Sequence, residues 1–408
     1  MKKTFLCFGI AFMLLLSCQS DDPTPTPNER KDIPLSRSEL EMTNLGNKFA
    51  FEFFKVVTAN EEKENVFISP LSASIALSMT TNGAEDSTLE EMKTTLGFKD
   101  YSLDEMNTYY NKLVSGLLAA DNTTTLGIAN SIWIKEGFKV KQPFVDINKD
   151  MYDAEVRNLD FNNPKAVDII NQWCSDKTNK RITDILEYIS QDARLYLINA
   201  LYFKGTWVSK FDKKNTVSED FTTISGQKNK VDMMHQECTT PYVVDEGLQI
   251  AELPYGNEAF SMVILLPEEN QSMDDVMNQL TPDNWSKWMG RLNSRNIDIK
   301  LPRFKFEYSR ELIDDLKKLG MNAPFGGGAN FSKMSDADLY IGLVKQNTFV
   351  EVNEEGTEAA AVTIVGMYES SAGPDPQKIY FHVNRPFVYV IKEKSTGAIL
   401  FMGKMGSI

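Results

Sequence analysis

The stretch that decides the fold runs Val352-Asn-Glu-Glu-Gly-Thr-Glu-Ala-Ala-Ala-Val-Thr-Ile364. The chain enters it as a β-strand, because the preceding Phe349-Val-Glu-Val352 is rich in residues that strands favour. After the glycine the side chains become small, and Glu358 is the only charged one. A polar segment with two prolines follows, and a second strand pattern then occupies residues 379–392.

With the two-residue period of a strand, one face of this run carries side chains that are small at first and then apolar, and none of them is charged. That face consists of Thr357, Ala359, Ala361, Thr363, Val365 and Met367. A long exposed segment with strand character is an aggregation hazard unless it has a place to pair. The pattern therefore predicts a segment that becomes a buried strand at a later stage.

The run resembles the hinge and reactive-centre loop of the serpins, whose loop insertion is well known. The hinge would comprise Glu354, Glu355, Gly356, Thr357, Glu358, Ala359, Ala360, Ala361, Val362 and Thr363. The resemblance implies an α+β fold with three β-sheets, about nine helices and an exposed reactive-centre loop. It extends over roughly residues 38–408.

Other parts of the chain agree with this resemblance. Asn65-Val-Phe-Ile-Ser-Pro-Leu-Ser72 predicts a short strand and then a helix, with Ser69 as N-cap and proline in the first turn. The mostly apolar run 195–207 resembles the third strand of the main serpin sheet. Val383-Asn-Arg-Pro-Phe387 and Phe401-Met-Gly-Lys404 resemble the two strands that close the fold.

The resemblance also assigns residues to the regions called breach and shutter, which control opening of the main sheet. At the breach, Glu354 is expected to pair with Arg303. The shutter would be formed by Asn65, Ser69, Ser72, Asn199 and Gln346. Gln346 stands where serpins usually have a histidine, and its amide can bond to Asn199 or Ser69 without titrating.

Two helix boundaries are predicted from local signals. Thr88 and Glu91 have the spacing of a capping box that would open the third helix. Residues 309–319 are predicted to form a helix that Gly320 ends.

The N-terminus predicts export and a lipid anchor. Residues 1–17 carry two lysines and then an apolar run too short to span a membrane. Leu-Leu-Ser-Cys18 resembles a bacterial lipoprotein box, and the alternative is a cleaved signal with a chance cysteine. Residues 18–35, rich in proline and threonine, would then be a flexible tether, and 36–408 the folded domain. This implies a surface-exposed outer-membrane lipoprotein of a Gram-negative bacterium.

The charge excludes several partners. Removing residues 1–17 takes away two lysines and no acidic residue, so the formal charge moves from −14 to −16. Such a chain will not bind nucleic acid or an anionic membrane through its overall field. The predicted helix 104–119 has Lys112 as its only base, which argues against a glycosaminoglycan cofactor. Cys174 and Cys238 are expected to be free thiols, and the protein a monomer.

An enzyme is not predicted. The two histidines, His235 and His382, are far apart in sequence, and there is no Gly-x-Ser-x-Gly motif or metal-ligand spacing. Gly326-Gly-Gly328 lacks the lysine and helix of a phosphate loop. No cofactor or metal is expected.

The resemblance implies a serine protease inhibitor that acts as a suicide substrate. The alternative is a non-inhibitory serpin-fold surface protein, such as a carrier, chaperone or interaction module. Non-inhibitory members tend to carry bulky, charged or proline residues in the hinge, whereas this hinge is small and threonine-containing.

The reactive bond is expected between Ser370 and Ser371, fourteen residues beyond Gly356 in the spacing of inhibitory serpins. Met367, Tyr368 and Glu369 remain alternatives. A small residue suits an elastase-like serine protease, tyrosine or methionine suits a chymotrypsin-like one, and a cysteine protease is a further target class. No lysine or arginine occurs at 362–377, which argues against trypsin inhibition.

Overall fold

The structure is a computed structural model, and it describes residues 28–357 and 378–408. This part of the chain contains nine α-helices, the number that the resemblance implies. They are α1 (Arg37–Ala59), α2 (Pro70–Thr81), α3 (Asp86–Thr95), α4 (Leu103–Ala119), α5 (Gln142–Tyr152), α6 (Ala166–Lys177), α7 (Met273–Gln279), α8 (Pro282–Arg291) and α9 (Ile313–Lys318). Within the two described ranges, no helix has the length and apolar character needed to cross a membrane.

The same residues form strands that belong to two hydrogen-bonded sheets. The strands are β1 (Val66–Ile68), β2 (Thr125–Lys135), β3 (Ala154–Leu159), β4 (Leu195–Thr206), β5 (Val217–Thr222), β6 (Lys228–Asp245), β7 (Leu248–Tyr255), β8 (Phe260–Pro267), β9 (Asn293–Pro302), β10 (Phe304–Glu311), β11 (Lys345–Asn353), β12 (Gly356–Thr357), β13 (Ile379–His382), β14 (Phe387–Glu393) and β15 (Ile399–Met405).

The first sheet has six strands in the order β10-β11-β12-β4-β2-β3. β10 and β11 are antiparallel, as are β4 and β2, where Asn199 lies opposite Asn130. β12 consists of two residues and separates β11 from β4. This sheet therefore has a short strand near its centre.

The second sheet has nine strands in the order β1-β15-β14-β8-β7-β6-β9-β13, with β5 also paired to β6. Residues 233–242 of β6 pair with β9, whereas residues 242–245 pair with β7. β6 thus divides the sheet into two parts, and these with the six-stranded sheet give the three predicted sheets. β8, β14 and β15 are buried along their whole length and form the core.

Helix α2 lies against strands of both sheets, β4 and β15. Ser69 is its N-cap, as predicted: the Oγ atom accepts from the Ser72 N–H at 3.1 Å, and Pro70 occupies the first helical position. All of its residues except Ala76 are buried, and the polar ones among them are small serines and threonines.

The predicted capping box of the third helix is wrong. The N-cap of α3 is Glu85, so Thr88 lies inside the helix. The Thr88 Oγ accepts instead from the N–H of Asn330, at 2.8 Å. The Glu91 carboxylate accepts from the backbone N–H groups of Asn322 and Ala323, at the start of the 3-10 helix Ala323–Phe325. Both side chains therefore hold another segment rather than their own helix end.

The predicted helix over 309–319 is also wrong in its first part. Residues 309–311 continue β10, where Ser309 pairs with Asn347 and Glu311 with Lys345. The helix is α9 and begins at Ile313. Pairing with β11 therefore overrides the local helix signal.

The last eight residues of the predicted tether are packed against the domain. The Asn28 Nδ2 donates to Asp121 Oδ1 at 3.0 Å. Ile33 is buried, its N–H donates to Ser395 Oγ at 3.0 Å, and it lies so close to Gly116 that a Cβ there would overlap it. Asn28 and Ile33 of the predicted tether therefore contact the domain, and the division at residue 35 stays a prediction.

Candidate functional site at the hinge

The hinge begins as a strand between β11 and β4. Gly356 pairs with Thr206, and Thr357 pairs with Gly205 on one side and Val352 on the other. Thr357 is only 3% exposed. The sequence pattern predicted that this side chain becomes buried only when the loop inserts, but in this structure it is already buried in the sheet.

Only glycine fits at 356. Its φ is +151°, and an added Cβ would overlap the carbonyl oxygen of Gly205. Gly205 is equally constrained, because a Cβ there would lie 2.8 Å from the ring of Tyr255. The two glycines allow the hinge to enter the sheet at this point.

The predicted ion pair at the breach is present. The Arg303 guanidinium contacts Glu354 through two nitrogens, with Nε to Oε2 at 2.9 Å and NH2 to Oε1 at 2.5 Å. Thr216 Oγ1 also donates to Glu354 Oε1, at 2.6 Å. Burial acts to raise the pKa of Glu354, but these hydrogen bonds lower it more, so its pKa lies below the ordinary 4.5.

We expect Glu354→Gln to destabilise the intact protein by about 1–3 kcal/mol at pH 7, because it removes a charged acceptor from a buried two-point contact. Since the folded-state pKa of Glu354 is lowered, its contribution is present above the unfolded pKa and is lost as pH falls through the folded value. The difference between variant and wild type in urea-unfolding midpoint should therefore shrink from pH 7 towards pH 3. Asp232→Asn, which removes the exposed partner of Arg303, is the control and should have little effect. An equal effect from both variants would contradict the assignment.

The backbone on either side of Glu354 is held by aromatic residues that the sequence analysis did not assign to the site. The Trp207 N–H donates to Glu355 O at 2.8 Å, and its Nε1 donates to Asn353 O at 3.0 Å. The Tyr255 OH lies 2.6 Å from Thr357 Oγ1, and its ring stacks on Trp207. Trp207 closes the predicted strand 195–207, but Tyr255 comes from a distant strand, and no local signal indicates it.

Beyond Thr357 the two neighbouring strands are not joined. Among the described residues, no ladder of backbone hydrogen bonds connects β4 directly to β11. A cavity of about 880 Å³ lies between them, with α2 at its base. The cavity wall includes Leu197, Asn199 and Leu201 of β4, Gln346 and Thr348 of β11, and Ser72 of α2. The site can therefore admit a strand with small side chains.

Ser69 and Gln346 connect the base of the cavity to β11. The Ser69 N–H donates to Gln346 Oε1 at 2.9 Å, and Gln346 Nε2 donates to Ser69 O at 2.8 Å. The side-chain amide of Gln346 thus donates one hydrogen bond to the Ser69 backbone and accepts one from it, as a residue of a neighbouring strand would. Gln346 was predicted to bond to Asn199 or Ser69, and in the structure its partner is Ser69.

Asn199 contacts the opposite side of the cavity. Its Nδ2 donates to Asn130 Oδ1 at 2.7 Å, and Asn130 Nδ2 donates to Tyr152 O at 2.6 Å. The Asn199 Oδ1 is buried and has no hydrogen-bond partner among the described residues. A buried acceptor without a donor is costly, so a donor that entered the cavity here would be favoured.

The described wall of the cavity includes Ser69, Ser72, Asn199 and Gln346 of the predicted shutter but not Asn65, whose shutter role stays a prediction. The Asn65 Nδ2 donates to Ser407 O at 2.8 Å, and its Oδ1 accepts from the N–H groups of Gly406 and Ser407. It therefore anchors the C-terminal residues. Its place directly before the buried strand β1 did not distinguish these roles.

Several predicted residues lie outside the described parts of the chain. These are Glu358, Ala359, Ala360, Ala361, Val362 and Thr363 of the hinge, Met367, Tyr368, Glu369, Ser370 and Ser371 around the reactive bond, and the signal peptide with Cys18. Their roles stay predictions.

The cysteines and histidines singled out in the sequence lie within the described ranges. Cys174 and Cys238 are free, as predicted, and both are buried. In the described ranges, no group of three or more His, Cys, Asp or Glu side chains is suited to a metal ion. His235 and His382, distant in sequence, share one carboxylate, that of Asp298.

Comparison with known proteins agrees with this geometry. A family model described as serpin (serine protease inhibitor) matches residues 44–408. The chain is 32% identical to an uncharacterized serpin-like protein of Thermococcus kodakarensis, over 99% of each chain. It is 33% identical to human antithrombin-III, over 91% of this chain and 83% of that protein. The native-state crystal structure of tengpin, a thermophilic serpin, is 34% identical and superimposes with a TM-score of 0.83, covering 93% of this chain and 97% of tengpin.

The protein belongs to the serpin family, since the family model matches most of the chain and the fold agrees with it. Serpins are mostly inhibitors of proteases rather than enzymes, and some members are non-inhibitory.

Proposed function

We propose that this serpin inhibits a serine protease by forming an acyl-enzyme and then inserting its loop between β11 and β4. The observation that supports this most strongly is the hinge itself. Gly356 and Thr357 have already entered the sheet, and a cavity lined by residues 195–201 of β4 and 345–348 of β11 lies further along the same two strands. The residues that follow are small and uncharged on the face that would be buried.

The register of β12 supports the same proposal. Each further residue of the loop would pair one position back along β4 and β11, so Thr363 would lie opposite Asn199 and Gln346. A threonine hydroxyl there would be the donor that Asn199 Oδ1 lacks. Insertion would thus satisfy a buried acceptor that has no partner in the described residues.

The chemistry follows from ordinary acyl transfer. The protease nucleophile attacks the carbonyl carbon of Ser370, and the peptide bond to Ser371 breaks. The amino group of Ser371 takes the proton and leaves, while the protease stays joined to Ser370 as an ester. Fourteen inserted residues at about 3.3 Å each would carry the protease about 46 Å, comparable to the width of the domain. The protease would then be carried away from its starting position before water can hydrolyse the ester that joins it to Ser370.

A panel of proteases tests this proposal. We expect an elastase-like or chymotrypsin-like protease to form a complex that survives boiling in detergent, and trypsin to form none through this loop. Mass spectrometry of the released peptide identifies the bond. A peptide beginning at Ser371 supports Ser370, and one beginning at Glu369 moves the bond to Tyr368.

Ser370→Arg sharpens the test, because it adds the basic residue that trypsin requires. Stable trapping of trypsin by this variant would support both the mechanism and the fourteen-residue spacing. Cleavage at that position without trapping would show that the spacing is wrong. If every protease in the panel cuts the wild-type loop and is released, the protein is a non-inhibitory serpin.

A further inference from the structure

A second cleft lies in the nine-stranded sheet, apart from the hinge and its cavity. Its volume is about 370 Å³, which is within the range of sites for small molecules. The wall is formed by β7, the two residues that follow β8, β13, and the turn between β13 and β14. Every side chain that lines the cleft carries a nitrogen or oxygen atom. The cleft is therefore suited to a small polar or charged ligand.

Arg385 gives the cleft a fixed positive charge. Its Nε donates to Pro267 O at 2.7 Å, and its NH1 donates to Asn384 Oδ1 at 3.0 Å and to His382 O at 3.4 Å. A guanidinium has five N–H groups, and the two on NH2 have no partner among the described residues. Burial lowers the pKa of Arg385 from its ordinary value. The guanidinium has thus lost contact with water, is held in place, and still has two free donors.

Two carboxylates line the same cleft without neutralising this charge. Glu268 and Glu269 directly follow β8, and their charges act on Arg385 against the effect of burial on its pKa. Neither carboxylate forms an ion pair or accepts a hydrogen bond in the part of the chain that the structure describes. The cleft therefore has charges of both signs that influence each other but are not joined.

Uncharged donors and an aromatic ring complete the wall. Gln249 Oε1 accepts from the Tyr242 hydroxyl at 2.9 Å, and its Nε2 has no partner within residues 28–357 and 378–408. The same holds for Nδ2 of Asn384, whose Oδ1 accepts from Arg385. Tyr380 is 56% exposed, so its ring can contact an apolar group of a ligand.

We propose that this cleft binds a small zwitterion, namely a free α-amino acid with an apolar side chain. The carboxylate of the ligand would accept from the NH2 group of Arg385. Its ammonium group would donate to Glu268 or Glu269, and its side chain would lie against Tyr380. A ligand with both charges pairs both sides of the cleft at once, whereas a ligand with one charge leaves the other side unpaired. This site is separate from the hinge, and the proposal does not depend on the proposed inhibitory function.

Isothermal titration calorimetry with three probes of similar shape tests the proposal on the full-length protein. L-Leucine carries both charges, 4-methylpentanoate lacks the ammonium group, and isoamylamine lacks the carboxylate. We expect L-leucine to bind with a dissociation constant in the millimolar range or below. Each of the other two probes should bind at least about tenfold more weakly, as for loss of one charged hydrogen bond.

Variants locate the binding to the cleft. Glu268→Gln combined with Glu269→Gln keeps the size of both side chains and removes their charge. This double variant should bind L-leucine at least about tenfold more weakly and should not weaken binding of 4-methylpentanoate. Arg385→Lys keeps the charge but loses the planar guanidinium, and it should weaken binding of both probes that carry a carboxylate. Asp314→Asn, at an exposed position on α9, is the control and should bind every probe as wild type does.

Absence of L-leucine binding to wild type at millimolar concentrations would overturn the proposal. Binding of 4-methylpentanoate as tight as that of L-leucine would also overturn it, because the cleft would then be a site for anions alone. L-Leucine binding that neither the double variant nor Arg385→Lys weakens would overturn it as well, since the ligand would then bind elsewhere. Melting temperatures of the variants verify that each is folded, and the exposed carboxylates keep the test independent of the contacts that Arg385 makes with the backbone.

Discussion

Thr357→Arg is expected to turn the inhibitor into a substrate. In the structure Thr357 is 3% exposed, paired on both sides and in contact with the Tyr255 hydroxyl. An arginine has no room and no charged partner there, and an unpaired buried cation costs several kcal/mol. The variant hinge should therefore leave the sheet, and the loop should not insert after cleavage.

The measurement is the number of inhibitor molecules consumed per protease inactivated. We expect this stoichiometry to rise at least about tenfold, while the initial rate of loop cleavage stays near the wild-type value, because docking and acylation involve a distant part of the loop. Thr357→Ser keeps the hydroxyl and the small size, so it should behave as wild type. Complexes formed by Thr357→Arg at the wild-type ratio would show that insertion does not begin at Thr357.

Much of the fold could be predicted because the decisive signals are local. The apolar run 195–207 forms β4, and Ser69 followed by proline opens α2. The hinge could be recognised because its small residues follow directly on a strand. The pairing of Glu354 with Arg303 could be anticipated from the resemblance, which places both at one end of the main sheet.

What could not be predicted depends on distant partners. Thr88 and Glu91 have capping-box spacing, but their side-chain oxygens accept hydrogen bonds from backbone N–H groups of a distant segment, residues 322–330. Residues 309–311 have helical character, yet pairing with β11 makes them a strand. Asp298 showed no signal in the sequence, since its contacts with His235 and His382 arise only where three strands meet.

The chemistry of the shutter was predictable only in part. The absence of a histidine at 346 indicated a shutter that does not titrate, and the structure shows how Gln346 replaces it, by exchanging two hydrogen bonds with the Ser69 backbone. The unsatisfied Asn199 Oδ1 could not be inferred from the sequence. It follows only from the three-dimensional contacts, in which Asn130 accepts from the amide nitrogen of Asn199 and no described residue donates to its oxygen.

Cleavage in the loop should raise the melting temperature by at least about 10 °C. In the described part of the intact protein, a cavity of about 880 Å³ lies beside β4 and β11, and no ladder of backbone hydrogen bonds joins these two strands directly. An inserted strand would fill the cavity, pair with β4 and β11, and supply a donor to Asn199. For a domain of this length an unfolding entropy of about 2.1 cal/mol/K per residue corresponds to about 0.8 kcal/mol per degree, so 10 °C requires about 8 kcal/mol.

The experiment uses a protease that cuts the loop without being trapped, followed by calorimetry of the cut and intact proteins. Thr357→Arg cut at the same bond is the matched control, because its hinge cannot enter the sheet, and it should melt close to its own intact form. Comparing cut wild type with cut Thr357→Arg distinguishes the rise in melting temperature caused by insertion from any change caused by cutting the chain. If cut and intact wild type melt at the same temperature, the intact protein stores no free energy for insertion, and trapping by this route would have no driving force.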